Sequence, residues 1–371
     1  MSINLHIVSF DVPFPPNYGG VIDVFYKIKA LHKLGVKITL HTFNYRREKS
    51  SELNRYCESV YYYKRGSFLN LFSRKPFVVQ SRRSEQLIKN LKKDNYPILF
   101  EGIHTTHLLT VTNFKNRKIL VRTHNIEHDY YSGLAKSEKK LYKKLFFFLE
   151  SKKLKRYEKL IHKVNYILTI SPSEHQYFTK KYGNKCKYIP VFHKENKVVE
   201  LSKKGEFALY HGDLRVSDNT RAVEYLIDVF QEINYPLVIA SSISSIKIDN
   251  IIKNKLNIRF ELLDSHNENQ LEDLFRKTHI NVLPTFQATG IKLKLINALF
   301  SSRFCIVTPE MVISTGLESL CEIGSSREEF KNKVIACIEK NYSYTEIERK
   351  IKILHNFNTL ENAKKIIDLI K

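Results

Sequence analysis

The stretch NLHIVSFDVPFPPNYGGVIDVFYKIKALHKLGVKITLHTF, from Asn4 to Phe43, decides the fold. It begins with an apolar run typical of a strand and continues through a loop rich in Pro and Gly. A helix is predicted next, because apolar side chains then recur on one helical face at Val21, Val24, Phe25, Ile28 and Leu31. A second strand follows at 36–43. This order forms the β-α-β unit of a parallel sheet with both faces covered.

The same alternation continues along the chain, which predicts an α/β protein. Further strands are predicted at 98–101, 118–122, 166–170, 207–210, 237–240, 258–262, 280–283 and 304–307. A long helical region is predicted at 126–164, and Ser171 is predicted to cap the helix after it. The polar, aperiodic stretch 191–204 is typical of a linker.

We therefore predict two Rossmann-like domains. The first spans 1–190, 191–204 is the linker, and the second spans 205–342. We expect the helices at 343–371 to pack back on the first domain. A chain of 371 residues is long enough for two hydrophobic cores.

Composition limits the class of protein and its compartment. Lys and Arg number 61 against 38 Asp and Glu, a net charge of +23 that attracts nucleic acid, acidic lipid or phosphorylated small molecules, or that merely solvates the surface. Five scattered cysteines show no metal-ligand spacing, so we expect reduced thiols in a cytoplasmic protein. We expect neither a signal peptide nor a membrane span.

Two loops that follow strands of the first domain carry candidate ligand-binding residues. Gly19 and Gly20 allow the backbone to approach a ligand at a helix start, or form a tight turn. The stretch RTHNIEHD, Arg122 to Asp129, predicts a hydrogen-bonding wall for a polyhydroxylated or charged ligand, or a capped helix start with a solvated face. Its histidines are spaced as in HExxH but the glutamate is misplaced, so we predict no metal site.

The stretch PTFQATGIKLKLINAL in the second domain predicts an anion site. Thr289 is the predicted N-cap of a helix, and Gly290 permits close approach of a phosphate to the first-turn amides. Cations at a helix N-terminus are electrostatically disfavoured. A phosphate bound by Lys292 or Lys294 would offset this cost, whereas the alternative is two lysines on a solvated helix face.

These elements together resemble the GT-B glycosyltransferases of family 4. The likeness rests on the Gly-Gly loop, RTHN and ISPSE in the first domain, and on YHGDLRVSDNTRAVEYL and TGIKLKLINALFSSRFCIVTPEMV in the second. It spans nearly the whole chain. It implies an α/β GT-B fold, with two Rossmann-like domains facing each other across a cleft, and a retaining enzyme that uses a nucleotide diphosphate sugar. By this resemblance the first domain would lie on the acceptor side, and the second would bind the nucleotide sugar.

The resemblance also implies roles for particular residues. Gly20 would lie near the diphosphate and His124 would face the donor sugar. Lys294 would contact the diphosphate together with Gly290 and Ile291. Further donor contacts are implied for Gly19, Gly212, Arg215, Gln287, Thr289 and Asn297.

Two positions depart from the family pattern. Thr289 and Asn297 stand where the family usually has two glutamates, and Asp213 replaces the usual arginine of the first donor-domain loop, leaving Arg215 or Arg221 as the cation. Asn297 would bond ribose hydroxyls, and Gln287 or Thr289 would contact the sugar.

The expected function is transfer of a hexose-type sugar, without metal or other cofactor, to a glycan or lipid-linked acceptor in cell-surface polysaccharide or glycoconjugate synthesis. The alternatives are a catalytically silent GT-B partner or sugar-binding subunit, a sugar-nucleotide epimerase, and a nucleic-acid-binding protein. No nucleic-acid-binding signature is present, so we expect no nucleic-acid partner. The basic helical region around Leu145–Leu149 would associate with an anionic inner membrane face, or be an ordinary buried helix.

Overall fold

The computed structural model describes residues 3–45, 47–66, 73–114, 116–195, 197–264, 269–286 and 292–371. They form two compact units, the first comprising Met1–Lys194 with Thr359–Lys371 and the second comprising Glu195–Asn358. In the described part of the chain, no helix is long and apolar enough to cross a membrane.

The first unit is built on a parallel sheet of seven strands. The strands are β1 (Ile3–Ser9), β2 (Val36–Asn44), β3 (Ser59–Lys64), β4 (Ile98–Glu101), β5 (Ile119–Arg122), β6 (Tyr166–Thr169) and β7 (Cys186–Tyr188). Their order is β3-β2-β1-β4-β5-β6-β7. The order reverses between β1 and β4, and ligands of open α/β sheets bind at the carboxyl ends of strands beside such a reversal.

Helices cover both faces of this sheet. They are α1 (Gly19–Lys33), α2 (Phe77–Gln80), α3 (Glu85–Leu91), α4 (Glu127–Ser137), α5 (Leu141–Tyr157) and α6 (Pro172–Tyr182). The predicted apolar face of α1 is buried, and the predicted cap of α6 is confirmed because Ser171 Oγ accepts from the Glu174 amide at 3.3 Å. The long helical region predicted at 126–164 contains two α-helices, α4 and α5, because the backbone is extended at Glu138.

The second unit repeats the architecture with six parallel strands. These are β8 (Phe207–His211), β9 (Leu237–Ser241), β10 (Ile258–Leu262), β11 (Thr278–Leu283), β12 (Phe304–Val307) and β13 (Glu322–Ile323), in the order β10-β9-β8-β11-β12-β13. The helices are α7 (Ser217–Phe230), α8 (Ile246–Ile252), α9 (Asn269–Lys277), α10 (Leu293–Ser301), α11 (Pro309–Val312), α12 (Arg327–Ile338) and α13 (Tyr344–Leu354). The reversal lies between β8 and β11.

The two C-terminal helices belong to different units. Helix α14 (Thr359–Ile370) packs on α1 in the first unit, and its buried Ala363 and Ile366 join the core there. Helix α13 belongs to the second unit, where the buried ammonium of Lys350 donates to the carbonyls of Ser302 and Arg303. The sequence prediction had placed both helices on the first unit. The two bonds of Lys350 instead hold α13 to the turn between α10 and β12 in the second unit.

Candidate functional site

Four charged side chains form a buried network where strand order reverses in the first unit. Lys27 Nζ on α1 lies 2.9 Å from Asp23 Oδ2 and 2.7 Å from Glu101 Oε1, and Glu101 is the last residue of β4. Arg122, at the end of β5, binds Asp23 with two nitrogens at 2.7 and 3.1 Å. All four side chains are fully buried, so the two carboxylates and the two cations balance one another.

Charge pairing decides the ionisation of both carboxylates. Burial opposes ionisation, but the charges of Arg122 and Lys27 outweigh it and hold the pKa of Asp23 far below its usual range. Burial likewise opposes the ionisation of Glu101, whose pKa is nevertheless lowered by Lys27 and by a hydrogen bond from His124. The network is therefore a fixed platform of ionised groups.

His124 is hydrogen-bonded to this buried network. Its Nε2 is 3.1 Å from Glu101 Oε2, and because an ionised carboxylate only accepts, Nε2 carries the proton. Its Nδ1 is buried and has no hydrogen-bond partner among the described residues. His124 thus presents the unsatisfied Nδ1 at the carboxyl end of β5, where it is suited to a hydrogen bond with a ligand hydroxyl.

The ring of Phe10 connects His124 to the Gly-Gly loop. Phe10 packs edge-on against His124, with ring centroids 5.3 Å apart. A Cβ built on Gly20 would come within 2.7 Å of Phe10 Cζ. Gly20 therefore makes room for the ring beside His124, which is a packing reason for glycine at this position. Gly19 is the first residue of α1.

Two further carboxyl groups lie on the helices that follow β5 and β6. Glu127 is buried, with Oε2 3.3 Å from His104 Nε2 and with Oε1 lacking a partner in the described part of the chain. Burial opposes its ionisation, but His104 and His124 lower its pKa. Glu174, which completes the cap of α6 by accepting from the Ile170 amide at 3.2 Å, has its pKa raised to about 7 by burial. The site thus holds ionised and protonatable carboxyls side by side.

Three side chains of this site are close enough together to bind one metal ion, but the neighbouring cations disfavour metal binding. One ligand atom each of Asp23, Glu101 and His124 lies within 4.8 Å of the others. Both carboxylates, however, already bind Lys27, and Asp23 also binds Arg122. A divalent cation would have to displace Lys27 and would face the guanidinium, so this donor set does not fit a metal ion.

Lys294 lies near the point where strand order reverses in the second unit. Its Nζ lies 2.7 Å from Asn219 Oδ1 and 3.4 Å from the hydroxyl of Tyr210, which is on β8. No carboxylate lies within 4 Å of this ammonium among the described residues. Burial lowers the pKa of Lys294 to about 8, although Asp218 opposes the shift. Gly212 directly follows β8, and a Cβ built on it would lie 3.2 Å from the Asn219 side chain.

The loop that follows β11 is held in place by α7. Thr285 Oγ1 donates to Asp218 Oδ2 at 2.6 Å, and the Phe286 amide donates to Asp218 Oδ1 at 3.3 Å. The Phe286 ring lies edge-on to Tyr225 and beneath the guanidinium of Arg221, 3.9 Å from ring centroid to Cζ. These contacts fix where the chain leaves β11 toward the predicted anion loop.

The residues predicted to bind the donor in the second unit have different positions and partners in the structure. Helix α10 has Lys292 as its N-cap residue, and the Lys292 carbonyl accepts from the Leu295 and Ile296 amides; the predicted N-cap at Thr289 is therefore wrong for this helix. Lys294 lies in the first turn, and Asn297 is half-buried one turn later. Arg215 is exposed and pairs with Asp213 at 2.6 Å, so its charge is already compensated. Four predicted residues lie outside the described ones: Gln287, Thr289, Gly290 and Ile291.

Several site residues either were not predicted from the sequence or have a role other than the predicted one. Arg122 was expected in a ligand-binding wall and is instead buried, donating to Asp23 and to the carbonyls of Ile189 and Pro190. Asp23 and Lys27 could have been predicted, because two opposite charges four residues apart interrupt the apolar face of α1 and are placed to pair with each other. The remaining unpredicted members are Tyr210, Asp218, Asn219, Glu101 and Glu174.

One curated protein is similar to this chain in sequence. It is an uncharacterized 44.6 kDa protein in the cps region of Klebsiella pneumoniae, 26% identical over 321 residues, which cover 81% of this chain and 82% of the relative. No protein-family model matches the chain.

Solved structures of similar fold cover nearly the whole chain. A glycosyltransferase from Rickettsia africae ESF-5 has a TM-score of 0.67 at 14% identity, over 100% of this chain and 98% of that one. The lipopolysaccharide outer core galactosyltransferase WaaB has a TM-score of 0.61 at 14% identity, over 99% of each chain. A mutant of S. aureus TarM in complex with UDP has a TM-score of 0.60 at 10% identity, over 100% and 99%. The predicted α/β fold of GT-B type, with two Rossmann-like domains, is thereby confirmed.

Proposed function

We propose that this chain is a glycosyltransferase that moves a hexose-type sugar from a nucleotide diphosphate sugar to a hydroxyl of a glycan or lipid-linked acceptor. The family 4 resemblance supports retention of anomeric configuration. The UDP bound by the TarM mutant supports a nucleotide donor, and the Klebsiella relative from the cps region supports a role in cell-surface polysaccharide or glycoconjugate synthesis.

The observation that carries the proposal is the environment of Lys294. Its ammonium is half-buried at the start of α10. Among the described residues, it donates to the neutral side chains of Asn219 and Tyr210. A cation placed there needs an anion to balance it. The diphosphate of a sugar nucleotide supplies one at the place where open α/β sheets bind ligands.

Lys294 would also stabilise the leaving group. Breaking the bond between sugar and diphosphate builds negative charge on the phosphate oxygens, and a preorganised cation lowers that barrier. Gly212 and the predicted loop residues Thr289 and Gly290 would leave room for the phosphates and offer backbone amides. We propose that these groups suffice without a metal ion, and that the departing phosphate accepts the acceptor's proton.

His124 would act on the sugar rather than on the nucleotide. Its protonated Nε2 is fixed by Glu101, and its Nδ1 remains available to accept from a sugar hydroxyl. In this proposal the first unit presents the acceptor and the second holds the donor. We also propose that the enzyme works in the cytoplasm, at the inner membrane face.

Calorimetric titration tests the donor site. The purified chain is titrated, in the presence of a chelator, with UDP, GDP, ADP and their common sugar conjugates. We expect one diphosphate to bind selectively, and Lys294→Ala to weaken it by about 10- to 100-fold, the range for a hydrogen bond to a charged group. Lys253→Ala, at an exposed lysine of the same unit, is the matched control.

The outcomes separate the alternatives. Unchanged affinity in Lys294→Ala would contradict the diphosphate site. No binding of any nucleotide by the folded chain would favour the catalytically silent GT-B partner. Sugar-nucleotide conversion without an added acceptor would indicate an epimerase.

A further inference from the structure

Helix α5 exposes large apolar side chains that would ordinarily be buried. Leu141 is 81% exposed, Leu145 58% and Phe148 47%, and Tyr142 and Leu149 are also exposed. We call these five residues the α5 apolar face. Contiguous exposed apolar surface of this kind marks an interaction site more often than chance, whereas single exposed apolar residues need no explanation.

The helix is anchored by its opposite side. Glu150, Leu154 and Tyr157 are its buried residues, and Glu150 accepts from the backbone amide of Phe77 at 2.6 Å. At 100° per residue, the members of the α5 apolar face fall within about a third of the helix circumference, opposite these three. The face therefore points away from the unit that holds the helix.

Cations surround the apolar face and anions are lacking. The sequence of α5 contains six Lys and Arg residues and one acid, the buried Glu150, which pairs with Lys153 at 3.0 Å. Lys144, Lys152 and Arg156 are exposed and, by helical periodicity, project from the same half of the helix as the apolar face. The arrangement is that of a helix lying in a membrane interface, with an apolar face flanked by lysines.

We propose that the α5 apolar face docks this protein on the surface of a bilayer containing anionic phospholipid. The apolar side chains enter the boundary between headgroups and acyl chains, and the flanking lysines bind lipid phosphates. Each lysine near an anionic bilayer surface contributes about fivefold in affinity. The sequence left open whether this region is a membrane-surface helix or an ordinary buried one, and its exposure favours the first.

Charge argues for lipid over a second copy of the chain. Two α5 apolar faces brought together would place the exposed lysines of both copies side by side, in a chain whose net charge is already +23. An anionic bilayer instead neutralises those lysines while covering the apolar side chains. The proposal concerns the first unit alone, so its test is independent of nucleotide binding by the second.

A tryptophan reporter tests insertion directly. The chain contains no tryptophan, so Phe148→Trp places a single fluorophore in the α5 apolar face. Its emission should shift to shorter wavelength on vesicles of phosphatidylcholine and phosphatidylglycerol, and much less on phosphatidylcholine alone. Leu256→Trp, at an exposed position of the second unit, should not shift.

Co-sedimentation with the same vesicles tests the contribution of each group. The triple variant Leu145→Ser, Phe148→Ser, Leu149→Ser should bind at least tenfold more weakly than the natural chain. Neutralising Lys144, Lys152 and Arg156 to Gln should weaken binding to a similar degree and reduce its salt dependence. The matched control replaces three exposed apolar residues of the second unit, Ile246→Ser, Leu256→Ser and Ile313→Ser, and should bind as the natural chain does.

Four results would overturn the proposal. These are no binding of the natural chain to anionic vesicles, equal binding to neutral and anionic vesicles, unchanged binding in the triple variant, and self-association that the triple variant abolishes without any vesicle binding. Circular dichroism of each variant verifies its fold, which substitutions of exposed side chains should leave intact.

Discussion

The ammonium of Lys27 lies 2.7 Å from Oε1 of Glu101, although the two residues are 74 positions apart in the chain. The contact joins α1 to the end of β4, and through Glu101 it reaches His124. Because all three side chains are buried, the pair fixes the candidate site from inside the fold. His124 is held by an ion-pair network rather than by its own loop.

Removing the cation of this pair should destabilise the protein strongly. Lys27→Met leaves Glu101 buried without its ammonium, and we expect the free energy of unfolding to fall by about 3 kcal/mol or more. Denaturant unfolding measures the loss. Lys33→Met, at an exposed position of the same helix, should change stability by less than about 0.5 kcal/mol.

The double variant Lys27→Met, Glu101→Gln separates charge from packing. With both partners neutral, the uncompensated charge disappears and most of the stability should return. If the double variant is as unstable as Lys27→Met alone, lost packing of the lysine stem is the cause, and the electrostatic account is wrong.

The strands could be predicted because their signal is local. Apolar runs bounded by Gly, Pro and polar residues located ten strands, including β8 and β11. The three unpredicted strands, β3, β7 and β13, lie at or beside sheet edges, and two of them have three residues or fewer, too short for a periodic pattern. The break between α4 and α5 has neither Gly nor Pro at 138–140, so the sequence there predicts a continuous helix.

The site was less predictable because its partners are remote in sequence. Arg122 was correctly placed at a strand end, yet its role depends on Asp23, 99 residues away. The sequence identified Lys294 through its position near a helix start, but nothing local indicated that Asn219, 75 residues earlier, would hold it. Periodicity predicts which face is buried, whereas polar pairing depends on how the elements assemble.

Glycine at position 20 should resist replacement even by alanine. Gly20→Ala places a Cβ 2.7 Å from Phe10 Cζ, so the ring must shift from its position beside His124. We expect a loss of about 1–3 kcal/mol in the free energy of unfolding, as in overpacked cores. In Gly133→Ala, within α4, the new Cβ meets no atom within 4 Å, and the helix should gain about 1 kcal/mol.

A second substitution tests whether the clash with Phe10 is the cause. Replacing Phe10 by Leu shortens the side chain that the new Cβ meets, so Phe10→Leu should cost less in the Gly20→Ala background than in the natural chain. Equal costs in the two backgrounds would show that Gly20 is required for another reason, such as backbone approach to a ligand.

The carboxyl of Glu174 should make stability fall as pH rises. Burial raises its pKa to about 7 in the folded state, from 4.5 when unperturbed. The folded state therefore holds its proton more tightly, and the stability that this proton provides is present below pH 4.5 and lost as pH rises through 7. At 1.36 kcal/mol per unit, the loss is about 3 kcal/mol.

The difference in stability between the natural chain and Glu174→Gln isolates this contribution. Gln keeps an acceptor for the Ile170 amide, so the variant should match the natural chain near pH 4 and exceed it by about 3 kcal/mol at pH 8. Glu329→Gln replaces an exposed carboxylate that caps α12 in the same manner and should show no such divergence. A constant difference between natural chain and Glu174→Gln across this range would contradict the burial argument.

Nucleotide affinity should depend on the protonation of Lys294. Burial lowers the pKa of its ammonium to about 8, so the cation that would bind a diphosphate is lost as pH rises from 7 to 9 in the free protein. Affinity for the selected nucleoside diphosphate, measured by calorimetry, should be constant below pH 7.5 and fall up to tenfold per unit above 8. Lys294→Arg keeps its charge throughout this range and should remove the dependence, even if its geometry lowers the affinity overall. A natural chain and a Lys294→Arg variant with the same pH profile would show that another group titrates, and that Lys294 does not bind the phosphates.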